Sequence, residues 1–256
     1  MTRFYLIQSD VAWEQPEANK QHFAECIAYC TDGVIVLPEM FSTGFSMASS
    51  RLAESMTGDT LKWMKNQANA LNSVLCGSLI VSEATHYFNR FLWVEPGGHI
   101  IHYDKRHLFR MAGEHKNYNQ GQQRVTLQSN ELRILPQVCY DLRFPAFSRN
   151  RDDYDVMLLV ANWPSARREQ WLTLLKARAI ENQAYVVAVN RLGVDGNNIS
   201  YAGDSCVINF RGEVILDLGQ KDEIGDCELE HTHLQKFRQD FPAHLDADSF
   251  DIYFDM

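Results

Sequence analysis

The chain is predicted to be an α/β protein with mixed sheets, and three patterns predict it. Apolar runs of strand length alternate with helical patterns along most of the 256 residues. Several runs, VIVLP, VMLLVAN and AYVVAVN, are apolar on both faces, as strands covered by layers on either side must be. EPGGH and FRGE are turn signals between consecutive strands, so the sheets are mixed and not purely parallel. No linker, low-complexity tract or short repeat breaks the pattern, and residues 1–256 read as one domain.

FYLIQ opens the chain as a strand, and helical periodicity then runs across PEANKQHFAECIAY. VIVLP is a buried strand, GDTLKWMKNQANAL a second helix, and VLCGSLIV, YFNRFLWVE and HIIHY are strands in succession. A long loop spans about 106 to 123. LRILPQV, DVMLLVAN, AYVVAVN, DSCVINF, EVILDL and GDCELE follow as strands, with a helix from about Ala166 to Gln183. The closing stretch, DADSFDIYFDM, is acidic and aromatic, and either packs across a neighbour or lies on the surface.

Composition narrows the function. With 45% hydrophobic and 22% charged residues the chain can bury a sizeable core. A net charge of -9 and a pI near 5.4 exclude nucleic acid or an anionic membrane as the main partner, since both select basic surfaces. A small molecule is the expected partner. No apolar stretch approaches the roughly 20 residues of a membrane span, and MTRFYLIQSD lacks the features of a signal peptide, so a cytoplasmic protein is expected. Six scattered cysteines then form no disulfide framework and most are expected reduced, with Cys76, Cys206 and Cys227 expected buried. His22, Cys26 and Cys30 share a helix face, but Phe23 and Ile27 mark that side as core and no fourth ligand follows, so no metal is expected. No glycine-rich phosphate loop or dinucleotide fingerprint is present, and no cofactor is expected.

RILPQVCYDLRFP sets Cys139 at the edge of an apolar run, where a structural cysteine would sit inside one. In open α/β sheets, working residues gather at the carboxyl ends of strands. VIVLPEM leads to Glu39, HIIHYDKRH to Lys105, ILPQVCYD to Cys139, and LLVANWP to Asn162 and Trp163. These types belong together chemically. A thiol is mostly protonated near neutrality and needs a base, which Glu39 can be. Attack on an amide carbonyl creates an oxyanion, for which Lys105 and the backbone N–H of Tyr140 are candidate donors. The protonated Glu39 can then serve the leaving ammonia and afterwards activate water. A competing Cys–His pair through His107 or His115 is disfavoured, because neither ends a predicted strand.

LPEMF around Glu39, YDKRHLF around Lys105 and CYDLRFP around Cys139 together resemble the nitrilase superfamily of carbon–nitrogen hydrolases, in block order and separation. ANWP, ARAIENQAYVVAVNR and GDSCVINFRGEVI extend the resemblance over almost the whole chain. It implies a four-layer α-β-β-α sandwich of two mixed sheets, pairing into homodimers or larger assemblies. Within the superfamily the sequence is most similar to the omega-amidase branch, whose members hydrolyse 2-oxoglutaramate or 2-oxosuccinamate, although FSTGFSM replaces a tyrosine-containing loop of animal members. By the same resemblance Glu114, in MAGEHKNYNQG, holds Lys105 and orients the reacting groups. Such a substrate needs a cation for its carboxylate, and Arg143 is the candidate, the alternative being a salt bridge to Asp141 or Glu181. Phe41 and Trp163 would wall the pocket, or equally belong to the core. Rival functions are an amidase for another small amide, such as deaminated glutathione, and a catalytically idle member that binds a small acid or a partner.

Overall fold

The computed structural model of the chain describes residues 1–253. Its first half runs through β1 (Thr2–Gln8), α1 (Pro16–Ile27), β2 (Val34–Val36), α2 (Ser49–Leu52), α3 (Asp59–Leu71), β3 (Val74–Glu83), β4 (His86–Val94) and β5 (Ile100–Asp104). The long loop holds α4 (Glu114–Asn117), and β6 (Leu127–Ser129), β7 (Leu132–Val138), α5 (Pro145–Ser148), β8 (Val156–Ala161), α6 (Arg168–Asn182) and β9 (Tyr185–Asn190) follow. The remainder comprises β10 (Leu192–Val194), β11 (Ser200–Ala202), β12 (Cys206–Ile208), β13 (Val214–Asp217), β14 (Glu223–Leu229) and α7 (His231–Asp240).

Two six-stranded mixed sheets result. In the first, ordered β14-β1-β2-β3-β4-β5, the central β1, β2 and β3 are parallel and the outer strands antiparallel. The second, β13-β12-β9-β8-β7-β6, repeats that plan around parallel β7, β8 and β9. Strand alternation sorts their side chains into layers. Phe4 and Leu6 of β1 and Trp93 of β4 meet Val138, Leu158 and Val187 of the second sheet in a core between the sheets. The intervening Tyr5 and Ile7 point the opposite way, toward Phe23 and Ile27 of α1 and Met64 of α3. Leu159 and Val186 likewise meet Trp171, Leu175 and Ala179 of α6. Three cores therefore separate four layers, α-β-β-α, as expected. Each large side chain so buried contributes roughly 1.5–3 kcal/mol.

Several segments differ from expectation. VIVLP keeps ladder pairing only over Val34–Val36, and Pro38, without an N–H, ends it, so Glu39 stands three residues beyond the strand. DSCVINF is a strand only at Cys206–Ile208. The β10–β11 ribbon and α7 are additions to the expected elements; α7 and the residue after it carry Leu234, Phe237 and Phe241 at helical spacing in an otherwise polar stretch. Leu234 and Phe237 of α7 pack on the core between the sheets, and polar bonds add to that hold: Arg238 reaches Asp155 Oδ1 at 2.8 Å, Tyr154 O at 2.9 Å and Gln183 O at 3.1 Å. Cys76 and Cys206 are buried, but Cys227 is half-buried, because β14 is an edge strand with one face toward solvent. Of the acidic aromatic stretch, Ile252 packs against the core between the sheets and Phe250 lies under the Arg151 guanidinium, 5.2 Å from it. Residues 254 to 256 of that stretch lie outside the described residues.

Candidate active site

β5 ends at Asp104, and Lys105 adds one more ladder bond, its N–H donating to Asn89 O at 2.9 Å. The returning loop is pinned there by the Gly121 N–H, which donates to Lys105 O at 2.9 Å. A Cβ at residue 121 would lie 2.0 Å from Asp104 O, so this approach requires glycine. The Lys105 side chain is thereby turned inward. Its ammonium donates to Glu39 Oε1 at 2.9 Å and to both Glu114 oxygens at 3.0 Å, and all three side chains are fully buried.

The carboxylates have further donors. Asn89 Nδ2 donates to Glu39 Oε1 at 2.7 Å and reaches Glu114 Oε1 at 3.3 Å. Glu114 Oε2 also accepts the Phe109 N–H. Glu39 Oε2 accepts the Asn162 N–H at 2.8 Å, while Asn162 Nδ2 donates to the Glu39 carbonyl at 2.7 Å. Burial pushes the Glu114 carboxyl up despite the pull of Lys105, and Glu39 adds to the rise. Burial opposes the Lys105 ammonium, but Glu114, Glu39 and Cys139 outweigh it and hold the amine protonated above its ordinary range.

Cys139 follows β7 directly, with φ +45°, a left-handed conformation that costs most side chains energy, and begins the tight turn Cys139–Arg143. Asp141 staples that turn to the lysine loop. Its Oδ2 accepts the Val138 N–H at 3.0 Å and the Tyr103 hydroxyl at 2.8 Å, and its Oδ1 accepts the His107 N–H at 2.9 Å and lies 2.8 Å from His107 Nδ1. The Cys139 thiol donates to Asn162 O at 3.7 Å. Asn162 thus touches Glu39 through its N–H and Cys139 through its carbonyl. Burial, reinforced by Glu39 and resisted by Lys105, pushes the thiol well above its ordinary range. Such a thiol is protonated at rest and requires a base.

These groups open on a cavity of about 710 Å³, whose lining includes Lys105, Cys139, Tyr140, Arg143, Trp163 and Tyr201. The Arg143 guanidinium lies 4.9 Å over the Trp163 ring and donates to Gln170 Oε1. Neither alternative acid holds it: Asp141 is occupied as above, and Glu181 pairs with Arg178 at 2.9 Å. Of the two places open to it, Trp163 takes both: it lines the cavity and packs into the core beneath α6. Phe41 does not line the cavity, which corrects the expectation. It is fully buried on the helix side of the first sheet, edge-on to Phe23 at 5.7 Å and beside Trp63 at 5.8 Å, because the apolar faces of α1 and α3 capture it. Phe45, four residues on, lines the cavity instead, with Lys105 Nζ 5.1 Å from its ring. His107, stacked on Phe144 at 3.8 Å and bonded to Asp141, is no partner of the thiol. Asn89 carries no local signal in the sequence, and Asp141 enters it only as a possible partner of Arg143, because the role of each rests mainly on bonds to residues distant in the chain.

A family model described as carbon-nitrogen hydrolase matches residues 8–239. The chain is 49% identical over 253 residues to Omega-amidase YafV of Escherichia coli K12, covering 97% of each chain. It is 30% identical over 248 residues to 2-oxoglutaramate amidase of Bacillus subtilis, covering 94% of this chain and 95% of that one. The crystal structure of XC1258 from Xanthomonas campestris, a CN-hydrolase superfamily protein with an arsenic adduct in its active site, superimposes with a TM-score of 0.96 at 42% identity, covering 98% of this chain and 99% of that one. With most of its length matched and the fold shared, the chain belongs to the carbon–nitrogen hydrolase family of the nitrilase superfamily.

Proposed function

We propose that the protein is a thiol-dependent omega-amidase that hydrolyses the terminal amide of 2-oxoglutaramate or 2-oxosuccinamate to the 2-oxo dicarboxylate and ammonia. The observation that carries this reading is Asn162, which contacts Glu39 and Cys139 at once beside a cavity lined by a guanidinium, that of Arg143, with no carboxylate partner among the described residues. Glu39 takes the thiol proton as Cys139 Sγ attacks the amide carbon. The charge moving to the carbonyl oxygen meets the Tyr140 N–H and the Lys105 ammonium, which has three N–H groups and two carboxylate partners. Collapse breaks the C–N bond, Glu39 returns the proton to nitrogen, and ammonia leaves a cysteinyl thioester. Glu39 then deprotonates water, whose oxygen displaces the sulfur, and the acid is released with the thiol restored. Glu114 keeps Lys105 in place throughout, Arg143 holds the substrate carboxylate, and Trp163 and Phe45 enclose its short aliphatic middle.

The volume of the cavity, about 710 Å³, favours one second reading, an amidase for a bulkier amide such as deaminated glutathione. Rates of ammonia release from a panel of omega-amides separate the two. The first reading requires 2-oxoglutaramate to lead, Cys139→Ala to abolish turnover, Glu39→Gln and Lys105→Ala to lower it severely, and Arg143→Ala to act mainly on KM. An intact protein silent on every amide would instead indicate an idle binder. The reading includes a cytoplasmic homodimer; sedimentation of the purified protein would check the dimer, and fractionation of cells the location.

A further inference from the structure

We propose that Arg167 is a second guanidinium for the 2-oxo acid end of the substrate and the residue that turns away 2-amino acid amides such as glutamine. This deepens the omega-amidase reading and rests on it. Arg167 closes the short turn Ser165–Arg167 ahead of α6, is half-buried, and lines the same cavity as Cys139 and Arg143. Its guanidinium lies 5.2 Å over the Phe109 ring, and Phe109 meets edge-on, at 5.0 Å, the ring of Tyr140, the residue after the thiol. Its carbonyl accepts the Trp163 Nε1–H at 2.9 Å, and Trp163 is the ring beneath Arg143. Two guanidiniums therefore rest on neighbouring aromatic faces of one wall.

Both keep their charge for a ligand. The adjacent Arg168 has the usual fate of an arginine, a pair of 2.7 Å bonds to Asp204, whereas among the described residues neither Arg143 nor Arg167 has a carboxylate within 4.0 Å. Among the described residues, the two acids that line the cavity are already taken. Glu14 accepts from Ser46 and Arg51, and Asp195 accepts from the N–H groups of Asn197 and Ile199 and the Tyr201 hydroxyl.

Substrate chemistry explains the need for two. A 2-oxo acid end presents three acceptor oxygens, two from the carboxylate and one from the ketone, and one guanidinium fork pairs with only two. Leaving the third desolvated without a donor is costly, and a second fork removes that cost. Glutamine has the same length, the same amide and the same carboxylate, but an ammonium replaces the ketone. It would bring a cation and donors against a guanidinium, so one residue both attracts the right substrate and repels the wrong one.

The test replaces Arg167 with Met, which keeps an unbranched apolar stem over Phe109, and measures kcat and KM for 2-oxoglutaramate and glutamine. Inhibition constants of 2-oxoglutarate and glutamate read the same discrimination where glutamine turnover is too slow. The expected result is a KM for 2-oxoglutaramate raised roughly 10- to 100-fold, the loss of a charged hydrogen-bonded pair, and a preference for oxo over amino ligands reduced more than tenfold. Arg167→Lys, which keeps the charge, should retain most of the rejection of glutamate. A merely structural role would weaken both ligands together, so an unchanged preference in Arg167→Met overturns the proposal. Wild-type protein that releases no ammonia from 2-oxoglutaramate would instead sink the omega-amidase reading itself.

Discussion

The first sheet and its loops provide Glu39, Asn89, Lys105 and Glu114, which bond chiefly to one another and are all 0–1% exposed. The second sheet and its loops provide Cys139, Tyr140, Arg143 and Arg167, each half-buried and facing a cavity. One half is a closed cluster of charges in a dry interior, where hydrogen bonds and fields are strong and an unpaired charge is expensive. The other keeps hydrogen-bonding capacity in reserve for a ligand. The charged groups of the first half are thus held by the fold itself, while the thiol and the guanidiniums of the second depend on it only for position. Damage to the first half should therefore reach stability as well as chemistry, and damage to the second chemistry alone.

The largest effect tests this division directly. Lys105→Met should abolish turnover and also remove roughly 3–5 kcal/mol of stability, because Glu39 and Glu114 would be left buried without their cation. Urea unfolding of the purified variant measures the second effect. Cys139→Ala should be equally inactive yet lose no more than about 1 kcal/mol, the value of a small buried group. Equal destabilisation by the two would mean that the sheets do not differ as described.

Legibility in the sequence follows the same line. Strands apolar on both faces announced the layers, and Lys105 and Cys139 were visible because a polar group at the end of an apolar run breaks an alternation. Glu39 closes such a run in the sequence too, though it lies three residues past its strand. Asn89 was hidden because it sits inside β4, within an otherwise ordinary strand pattern, and nothing local tells a buried asparagine with a partner from one facing solvent. Asp141 was visible only as a possible partner for Arg143, since its four contacts come from Val138, Tyr103 and His107, up to 38 residues away in sequence. Phe41 and Phe45 are both aromatic residues just after Glu39, and only the packing of α1 and α3 decides which enters the core.

Asn89 gives the next, smaller test. Asn89→Leu removes the 2.7 Å donor to Glu39 and the 3.3 Å contact to Glu114, and also deletes a buried oxygen, Oδ1, that has no partner among the described residues. The two changes oppose each other in stability, so the net loss should stay near 1–2 kcal/mol, the scale of one hydrogen bond to a charged group offset by a relieved polar atom. Turnover should fall more than binding, because Asn89 does not line the cavity. A variant that raised KM while leaving kcat intact would move Asn89 from the closed half of the site to the open one.

The smallest effect concerns how the closed half acts on the open one. Burial and the Glu39 carboxylate both disfavour the Cys139 thiolate, and Lys105 favours it. Alkylation of wild-type enzyme by iodoacetamide should therefore still be accelerating with pH above about 8.5, the ordinary thiol value. In Glu39→Gln one negative neighbour becomes neutral while the lysine stays, so the thiolate is favoured and the alkylation profile moves to lower pH. Turnover should fall in the same variant, because the carboxylate proposed as the base is gone. Opposite responses of the two rates to one substitution would separate the field of Glu39 from its chemistry. A profile that moved to higher pH instead would mean that Glu39 stabilises the reactive sulfur, and that the coupling between the halves has the other sign.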